Sequence, residues 1–220
     1  MSDLQQNSGG SALFAFDTFK QFFPTLDHCG GSRLRTHDSV NVMGDILTEY
    51  WNSLTQVDDD YYNLAADDWV SLDRINANTN RNFASWAEFY GPWSANGDSF
   101  TTIQRYNLLS YIFDMESVQD FDEYFAVYGY SGNPANTTQP FAADEIIILS
   151  DRLCPSTCAV FMEMMHHEFG VKTVVAGGYP MTGPMQTPSG SRGARLYSVN
   201  DVLDNNIAYT QYILQENNDQ

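Results

Sequence analysis

The stretch from Glu145 to Gly178 has the sequence EIIILSDRLCPSTCAVFMEMMHHEFGVKTVVAGG, and the rest of the chain is arranged around it. Its short apolar, β-branched run Ile146–Leu149 predicts a buried strand, and Lys172–Ala176 predicts a second one. Between them, apolar residues recur at helical spacing, and Gly170 is placed to end the helix. The apolar positions are Ala159, Val160, Met162 and Met165. The order strand, turn, helix, strand indicates a parallel pair joined by a right-handed crossover.

Ser156 occupies the corner between the first strand and the helix. Backbone N–H groups at a helix N-terminus lack partners, and the helix dipole there favours negative charge. A nucleophilic serine needs such a setting because its tetrahedral intermediate carries an oxyanion. On the corner alone, however, the favoured interpretation is a serine that only caps the helix.

The N-terminal segment contains a second candidate loop, Asn7-Ser8-Gly9-Gly10. A Gly-Gly pair lets the backbone turn sharply and brings its N–H groups close to a ligand, although a flexible tail fits the same residues. Ser11 is placed to cap a helix that Pro24 ends. The apolar residues of this helix are Leu13, Phe14, Phe16, Phe19, Phe22 and Phe23. We expect the chain to enter its domain after most of the first strand.

The domain organisation follows from where these patterns stop. Residues 1–36 and 141–220 are predicted to form an α/β core, and residues 37–140 a mainly helical insertion. The helices expected in the insertion are Asp38–Leu54 and short ones at Tyr61–Ala66, Phe83–Phe89 and Val118–Tyr124. Thr101–Met115 fits helix or strand. Asn96-Gly97 marks a turn, and a last helix is expected from Ser198 or Asn200 to Leu214.

The composition excludes several classes of partner. The formal net charge is −18 and there are only two lysines, so no basic stripe is available for nucleic acid or an anionic membrane surface. No apolar run approaches the roughly 20 residues that span a bilayer. The run Asp58-Asp59-Asp60 is expected to be solvated surface, with calcium binding the less favoured alternative. The pair His166-His167 lacks a third ligand at useful spacing, so neither a metal nor a cofactor is expected.

The three cysteines, Cys29, Cys154 and Cys158, leave their pairing open. A structural disulfide joining Cys29 to one of the other two is one hypothesis, and free buried thiols are another. A nucleophilic cysteine is a third, disfavoured because no histidine is obviously adjacent. A bridge between Cys154 and Cys158 would close a very short loop, for which strain is a concern.

The cellular location has only weak support in the sequence. Asn136-Thr137-Thr138 is an N-glycosylation sequon, which favours secretion. The first residues, MSDLQQNSGG, have neither the charged nor the apolar region of a signal peptide. An extracellular protein is therefore expected only if the full-length gene supplies such a peptide.

Three segments taken in order resemble the tail-specific (C-terminal-processing) serine peptidases, most closely their secreted fungal branch. Asp3–Gly10 has the form D-L-x-x-N-x-G-G of the family's first strand and loop. Cys154–Cys158, CPSTC, resembles its nucleophile turn, and Lys172–Gln186 resembles the following strand and glycine-rich loop. The resemblance covers residues 1 to about 35 and 141 to about 212.

This resemblance implies an α/β fold of the ClpP/crotonase type, built from stacked ββα units. It implies that Ser156 is the acyl-forming nucleophile and that polypeptides are the substrate. It also implies an oxyanion hole made by the backbone N–H of Gly9 or Gly10 together with that of Thr157. The oligomeric state stays open.

The general base departs from the family pattern. Bacterial members use a lysine on the loop after the second strand, and Tyr179–Ser191 contains none. Lys172 lies inside the strand, where it is expected to face the sheet edge or solvent. The other branch uses a histidine upstream of the glycine loop, so the chain is expected to be N-terminally truncated and slow to acylate.

The histidines within the chain do not obviously replace that base. His166 and His167 lie about ten residues along the helix from Ser156, which is roughly 15 Å and too far for proton transfer. They are interpreted as a helix C-terminal cap. His28 and His37 remain as alternatives. The candidates for a third catalytic member are Gln186, Asp201 and Glu216.

Two other functions compete with a peptidase. A noncatalytic peptide-binding module on the same fold is favoured by the missing histidine and the missing loop lysine. A crotonase-like acyl-transfer enzyme could use the same oxyanion hole, but no basic patch for a nucleotide phosphate is present.

Overall fold

The structure is a computed structural model of the 220-residue chain. It describes residues 1–58, 60–61, 64, 70–91, 93–110, 119–120, 123–124, 138–151, 153–177, 183 and 206–218. The chain has an α/β fold of helices and small sheets, and it divides into two compact units. The first unit is Met1–Gly30 with Val127–Leu196, and the second is Gly31–Ala126 with Tyr197–Gln220.

The helices are α1 (Ala12–Phe22), α2 (Asp38–Ser53), α3 (Trp86–Tyr90), α4 (Thr157–Met162) and α5 (Ala208–Asn218). The strands are β1 (Ser2–Asp3), β2 (Arg74–Asn76), β3 (Arg81–Asn82), β4 (Trp93–Ala95), β5 (Asp98–Phe100), β6 (Gln104–Tyr106), β7 (Gln119–Asp120), β8 (Glu123–Tyr124), β9 (Ile147–Ser150) and β10 (Lys172–Val175). A 3₁₀ turn covers Ala143–Glu145, and a π-helical turn, Glu163–Glu168, continues α4.

The sheet of the first unit is parallel, in the order β1-β9-β10. Ser2 pairs with Ile148 on one side of β9, and Thr173 pairs with Ile148 on the other. The predicted strand–helix–strand unit is therefore confirmed as a parallel pair. Gly170, at φ +70, ends the helical segment as expected because glycine adopts this conformation without a Cβ penalty.

The two strands predicted to be buried are only partly buried: β9 is buried on one face, and the residues of β10 alternate between exposed and half-buried. Ile146, Ile148 and Ser150 are buried, whereas Ile147 is 38% and Val174 44% exposed. Successive side chains of a strand point to opposite faces, so this small sheet covers its core with one face. The expectation of full burial was wrong because an apolar run does not tell one covered face from two.

The core of the first unit lies between α1 and α4. α1 begins after Ser11 and ends just before Pro24, as predicted. The Phe19 ring lies 4.9 Å from that of Phe169, and the Phe22 ring 6.2 Å from that of Phe161. The buried side chains of the two helical segments are Leu13, Ala15, Phe16, Phe19, Phe23, Cys158, Ala159, Val160, Phe161, Met162, Met164 and Met165.

The second unit has an apolar core of its own, formed by α2, α3 and α5. Its buried members are Met43, Leu47, Phe83, Trp86, Phe89 and Ile213. Asp60 accepts hydrogen bonds from the hydroxyls of Tyr50, at 3.1 Å, and Tyr209, at 2.5 Å. Asp60 is thus half-buried and joins α2 to α5, which corrects the expectation that its charge run is merely solvated surface.

The segment expected to be mainly helical also contains short strands, seven of them among its described residues. β3-β2-β6 forms one antiparallel sheet, and β4-β5 is a hairpin at the predicted Asn96-Gly97 turn. Gln119–Asp120 and Glu123–Tyr124 are strands, so the predicted helix at Val118–Tyr124 was wrong. Thr101–Met115, left open between helix and strand, contains β6. The predicted helix Phe83–Phe89 is observed as α3, one turn later.

The unit boundaries differ from the predicted core and insertion. Tyr197–Gln220 groups with Gly31–Ala126, although the sequence placed it in the core. The reason is the apolar face of α5, which packs on α2 through Ile213 and Tyr209. Much of the predicted helix Tyr61–Ala66 and the proposed start of the last helix lie outside the described residues.

Candidate active site

The carboxyl ends of the three parallel strands meet at one edge of the sheet. The Leu4 N–H donates to the Leu149 carbonyl at 2.8 Å, and the Ala176 N–H donates to the Ser150 carbonyl at 2.8 Å. Three loops therefore start side by side: the glycine loop after β1, the turn after β9 and the loop after β10. The edge outside the carboxyl ends of parallel strands is where α/β proteins bind ligands.

Asp151 ties the first two loops together. Its Oδ2 accepts from the Gln6 N–H at 3.1 Å, and its Oδ1 accepts from the Leu153 N–H at 2.8 Å. One carboxylate thus fixes the glycine loop and the turn that leads to Ser156. The sequence predictions assigned Asp151 no role in the site. The local signal was present, because Asp side chains often bond the backbone two residues on.

Ser156 has a backbone conformation that is rare for a residue with a Cβ. Its φ is +53° and its ψ is −126°, outside the left-handed helical region that Asn and Gly commonly adopt. Its side chain makes no capping hydrogen bond to α4. The capping interpretation was therefore wrong. Strained backbone of this kind occurs where the surroundings impose it, and it is concentrated at functional sites.

The glycine loop lies directly against Ser156. A Cβ placed on Gly9 would be 3.0 Å from the Ser156 Cβ and 3.1 Å from the Pro155 carbonyl oxygen. The Thr157 hydroxyl donates a short hydrogen bond to the Gly10 carbonyl. The structure thus brings together the four residues singled out from the sequence: Ser156, Gly9, Gly10 and Thr157.

The backbone N–H groups of these residues differ in availability. The Gly9 N–H donates to Asn7 Oδ1 at 2.8 Å. Within the described part of the chain, the N–H of Gly10 has no hydrogen-bond partner. The N–H of Thr157 also lacks one, since Thr157 is the first residue of α4. Two donors on adjacent tight segments are therefore open to a ligand.

A cavity of about 340 Å³ borders the glycine loop. Its wall includes Gly10, Thr157 and the side chains of Phe14, Thr18 and Phe161. None of the described residues that line it is charged, and Ser156 is not among them. Phe14 is half exposed at this cavity, although its helix is otherwise rich in buried apolar residues. The cavity suits an uncharged side chain beside the two open amides.

The described residues place no imidazole or amine in hydrogen-bonding contact with Ser156. The His28 ring stacks on Phe16 at 4.6 Å and makes an edge contact with Phe19 at 5.3 Å. The His37 ring accepts from the Ser39 N–H at 3.3 Å, as the N-cap of α2. Both alternatives for the base thus have local packing or capping contacts.

The other two histidines lie at the far end of the nucleophile's helical segment. His166 Nδ1 lies 2.8 Å from the Val171 carbonyl and 3.3 Å from the Thr173 hydroxyl. His166 therefore links the end of the π-helical turn to β10. Both histidines lie in the last turn of the helical segment, where the cap interpretation places them, but the described bond of His166 goes to Val171, beyond that segment.

Neither lysine is placed as a base. Lys172 is exposed on β10, as expected. Lys20 is buried and its Nζ lies 2.6 Å from Asp27 Oδ1. Lys20 also lies far from the glycine loop. It is nine residues along α1 from Ser11, which directly follows that loop, and nine residues of helix rise span roughly 13 Å. Of the candidates for a third catalytic member, Gln186 and Asp201 lie outside the described residues, and Glu216 lies on α5.

The cysteine pairing, which the sequence left open, is the short bridge for which strain was a concern. Cys154 and Cys158 form a disulfide, with Cα atoms 5.1 Å apart. Cys29 is free and exposed. The bridge therefore closes the turn that carries Ser156, and the hypothesis of a pair with Cys29 was wrong. A nucleophilic role for either bridged cysteine is excluded in this form, because neither is a thiolate.

The described residues hold neither a metal-binding cluster nor a membrane-spanning helix. No group of three or more His, Cys, Asp or Glu side chains is arranged to hold a metal ion in that part of the chain. None of the helices described there has the length and apolar character needed to traverse a bilayer.

Known proteins match the chain over most of its length. It is 26% identical over 198 residues to the peptidase S41 family protein ustP of Aspergillus flavus, which covers 90% of this chain and 39% of that protein. It is 28% identical over 201 residues to the peptidase S41 family proteins phomP1 and phomP1′ of Diaporthe leptostromiformis, which covers 91% of this chain and 28% of each. The chain thus spans well under half the length of these relatives.

No family model matches the chain, and no solved structure matches it. The three relatives carry the same family name, and each alignment covers nine-tenths of this chain or more. These similarities support the peptidase S41 family for this chain.

Proposed function

We propose that this chain is the catalytic part of a serine peptidase that cleaves polypeptides through an acyl-enzyme on Ser156. One observation carries the proposal. Ser156 adopts a backbone conformation disfavoured for its residue type, makes no helix cap, and lies against the glycine loop. The strained backbone of Ser156 lowers the stability of the fold, and such strain is concentrated at functional residues. A role in nucleophilic attack explains why it is present at this serine.

The chemistry assigns one role to each group. The Ser156 hydroxyl attacks the scissile carbonyl and gives its proton to a base, which in this chain is water or added imidazole, and a tetrahedral oxyanion forms. The same base returns the proton to the departing amine. The N–H groups of Gly10 and Thr157 donate to that oxyanion, because they are the open donors on either side of the nucleophile. Collapse of the intermediate expels the amine and leaves the acyl group on Ser156. Preorganised donors of this kind contribute roughly 3–4 kcal/mol each to catalysis.

The finer assignments are part of the same proposal. The parallel β1-β9-β10 sheet, with α4 following β9, supports a ClpP/crotonase-like core. The fungal sources of the relatives support the fungal branch of the tail-specific peptidases. A disulfide between Cys154 and Cys158 supports an extracellular location, because disulfides persist in oxidising compartments.

We infer that acylation of Ser156 is slow in this chain as it stands. No described imidazole or amine bonds the Ser156 hydroxyl, and a general base contributes about 10²- to 10⁴-fold.

A fluorophosphonate probe tests the proposal. The folded chain is incubated with the probe, with and without added imidazole as an external base. Labelling is expected to be slow, to accelerate with imidazole, and to vanish in Ser156→Ala. Ser8→Ala, a change at an exposed serine of the same loop, is the matched control and should label like the parent. Labelling that survives in Ser156→Ala would contradict the assignment.

A noncatalytic peptide-binding module is the second candidate. The uncharged cavity beside the open amides, without a base at Ser156, favours it. Fluorescence polarisation with labelled apolar peptides separates the two functions. Tight binding that Ser156→Ala leaves unchanged, together with no probe labelling even in imidazole, would favour the binding module over the peptidase.

A further inference from the structure

We propose that the Cys154–Cys158 disulfide is a positioning clamp that holds Ser156 in its unusual backbone conformation. The clamp makes the nucleophile turn sensitive to reduction. The structural part of this inference stands on geometry alone. Its effect on reaction rate rests on the proposed function.

The bridge encloses the nucleophile and little else. Only Pro155, Ser156 and Thr157 lie between the two cysteines. Cys154 is 0% and Cys158 4% exposed, so both ends of the bridge are anchored in the core. Cys158 lies in the first turn of α4, which packs on α1. The bridge therefore connects the buried end of the turn after β9 to a helix that cannot move freely.

The conformation of Ser156 requires such a constraint. A residue with a Cβ adopts φ +53° with ψ −126° only where its surroundings leave no alternative. The described contacts of the turn are few. The Val160 N–H donates to the Ser156 carbonyl at 3.0 Å, and the Thr157 hydroxyl donates to the Gly10 carbonyl. The bridge is the covalent constraint on this turn.

Pro155 adds to the constraint from the other side. Its ring fixes its own φ, and the strand before it is held by the bonds of Asp151. The chain can therefore relax mainly at Ser156 and Thr157 once the bridge is gone. Relaxation of Ser156 to an ordinary φ would change the direction of its side chain relative to the glycine loop, because the side-chain direction follows the backbone.

Reduction of the Cys154–Cys158 disulfide is the reaction that would release the turn. A dithiol such as dithiothreitol breaks the S–S bond, gives its two thiol hydrogens to Cys154 and Cys158, and is itself oxidised to a cyclic disulfide. The reaction is reversible, and an added disulfide oxidant restores the bridge. The expected consequence is a mixture of Ser156 conformers in the reduced chain and a single conformer in the oxidised chain.

The experiment combines a structural readout with a kinetic one. Nuclear magnetic resonance reports the Ser156 backbone through its ¹³C shifts and its HN–Hα coupling, in oxidised, reduced and reoxidised protein. In parallel, the labelling rate at saturating fluorophosphonate is measured with added imidazole. All samples carry Cys29→Ser, which removes the exposed free thiol. The paired variant Cys154→Ser with Cys158→Ser gives an unbridged chain without any reductant.

We expect Ser156 to lose its positive-φ signature on reduction while the rest of the amide spectrum stays dispersed. The saturated labelling rate should fall about tenfold or more and recover on reoxidation. The unbridged pair variant should match the reduced protein. If the bridge were merely structural, its reduction would lower the unfolding temperature and leave both Ser156 readouts unchanged.

Each other outcome decides a different question. A Ser156 signature that is identical in oxidised and reduced protein overturns the clamp. General loss of dispersion on reduction also overturns it, because the bridge would then hold the whole unit and not the turn. A probe that labels neither form counts against the peptidase, while the Ser156 signals still decide the clamp.

Discussion

Gly9 lies against Ser156 with no space for a side chain between them. Its φ of +101° is strained for any residue with a Cβ, and that Cβ would meet the Ser156 Cβ at 3.0 Å. The next residue offers the opposite case, since a Cβ on Gly10 would meet nothing within 4 Å. The adjacent glycines are therefore a matched pair for testing the close approach.

Gly9→Ala is predicted to abolish fluorophosphonate labelling of Ser156 in imidazole and to lower the unfolding free energy by about 1–3 kcal/mol. Gly10→Ala keeps its N–H and should retain most of the labelling. Equal labelling of the two variants would show that the glycine loop does not approach Ser156 as described. Thermal unfolding of both variants separates loss of the site from loss of the fold.

Asp73 gives the second unit a pH dependence. Burial raises the pKa of Asp73 from 3.8 to about 6, against the opposing charge of Arg74 and a hydrogen bond from Ser110. The unfolded carboxyl releases its proton near pH 4 and the folded one near pH 6. The folded state binds more protons between these values, so stability falls as the pH rises from about 4 to about 6, and the loss is complete above that window.

Asp73→Asn is predicted to remove this loss. At pH 7 the variant should be more stable than the parent by up to about 3 kcal/mol, and near pH 4 the two should agree. Urea unfolding at a series of pH values measures the difference. Asp45→Asn, at an exposed position on α2, is the control and should follow the parent throughout.

The sequence predicted which residues form the candidate site, but it did not predict their backbone conformation. The D-L-x-x-N-x-G-G and CPSTC segments pointed to Ser156, Gly9, Gly10 and Thr157, and these residues lie together. The φ of Ser156, the bond from Gly9 to Asn7 and the bridge between Cys154 and Cys158 depend on the path of the whole turn. No local pattern specifies that path.

The absence of a side chain at Gly44 leaves the space in which the Trp86 ring of α3 packs on α2. A Cβ at Gly44 would lie 2.0 Å from the Trp86 ring, and the indole is held in place by a 3.0 Å hydrogen bond to Asn41 Oδ1. Alanine gains about 1 kcal/mol over glycine in a helix, whereas overpacking a fixed ring costs about 1–3 kcal/mol. Because the contact would be as short as 2.0 Å, the cost of overpacking is expected to exceed the gain in helix propensity.

Gly44→Ala is therefore predicted to destabilise the chain by about 1–2 kcal/mol in spite of its better helix propensity. Asp45→Ala, one residue along and exposed, should stay within about 0.5 kcal/mol of the parent. Trp86→Phe in the Gly44→Ala background should recover part of the loss. Chemical unfolding of the parent, Gly44→Ala, Trp86→Phe and the double variant completes the cycle, and a stabilising Gly44→Ala would refute the described packing.

Elements with strong local patterns could be predicted, and those made by distant pairing could not. α1, α2, β9 and β10 carry caps, stops and periodic apolar residues. The strands of the second unit are two or three residues long, too short for an alternating pattern to register. Their pairing, such as β2 with β6, joins residues about thirty positions apart, so composition alone suggested helix.

The whole molecule is strongly acidic. Its formal net charge of −18 comes from 28 acidic and 10 basic residues, and self-repulsion of this kind opposes the compact state. Two ion pairs are described, Lys20–Asp27 and Arg35–Asp98, so screening of repulsion should outweigh screening of attraction.

Raising the sodium chloride concentration from about 0.01 M to about 1 M is predicted to raise the unfolding temperature, because the Debye length falls from about 30 Å to about 3 Å. Differential scanning calorimetry at fixed pH measures the change. Potassium chloride should act like sodium chloride, since screening depends on ionic strength. An unfolding temperature that falls with salt would show that attractive ion pairs dominate.

The central claim concerns Ser156, and peptide mapping after fluorophosphonate treatment tests it most directly. Trypsin should release Leu153–Lys172, in which Ser156 is the single serine, and reduction before mass analysis opens its bridge. We predict that a chain treated in imidazole carries one phosphonyl adduct, on Ser156. An adduct on any other peptide, or none after prolonged treatment of a chain verified as folded, would contradict the account.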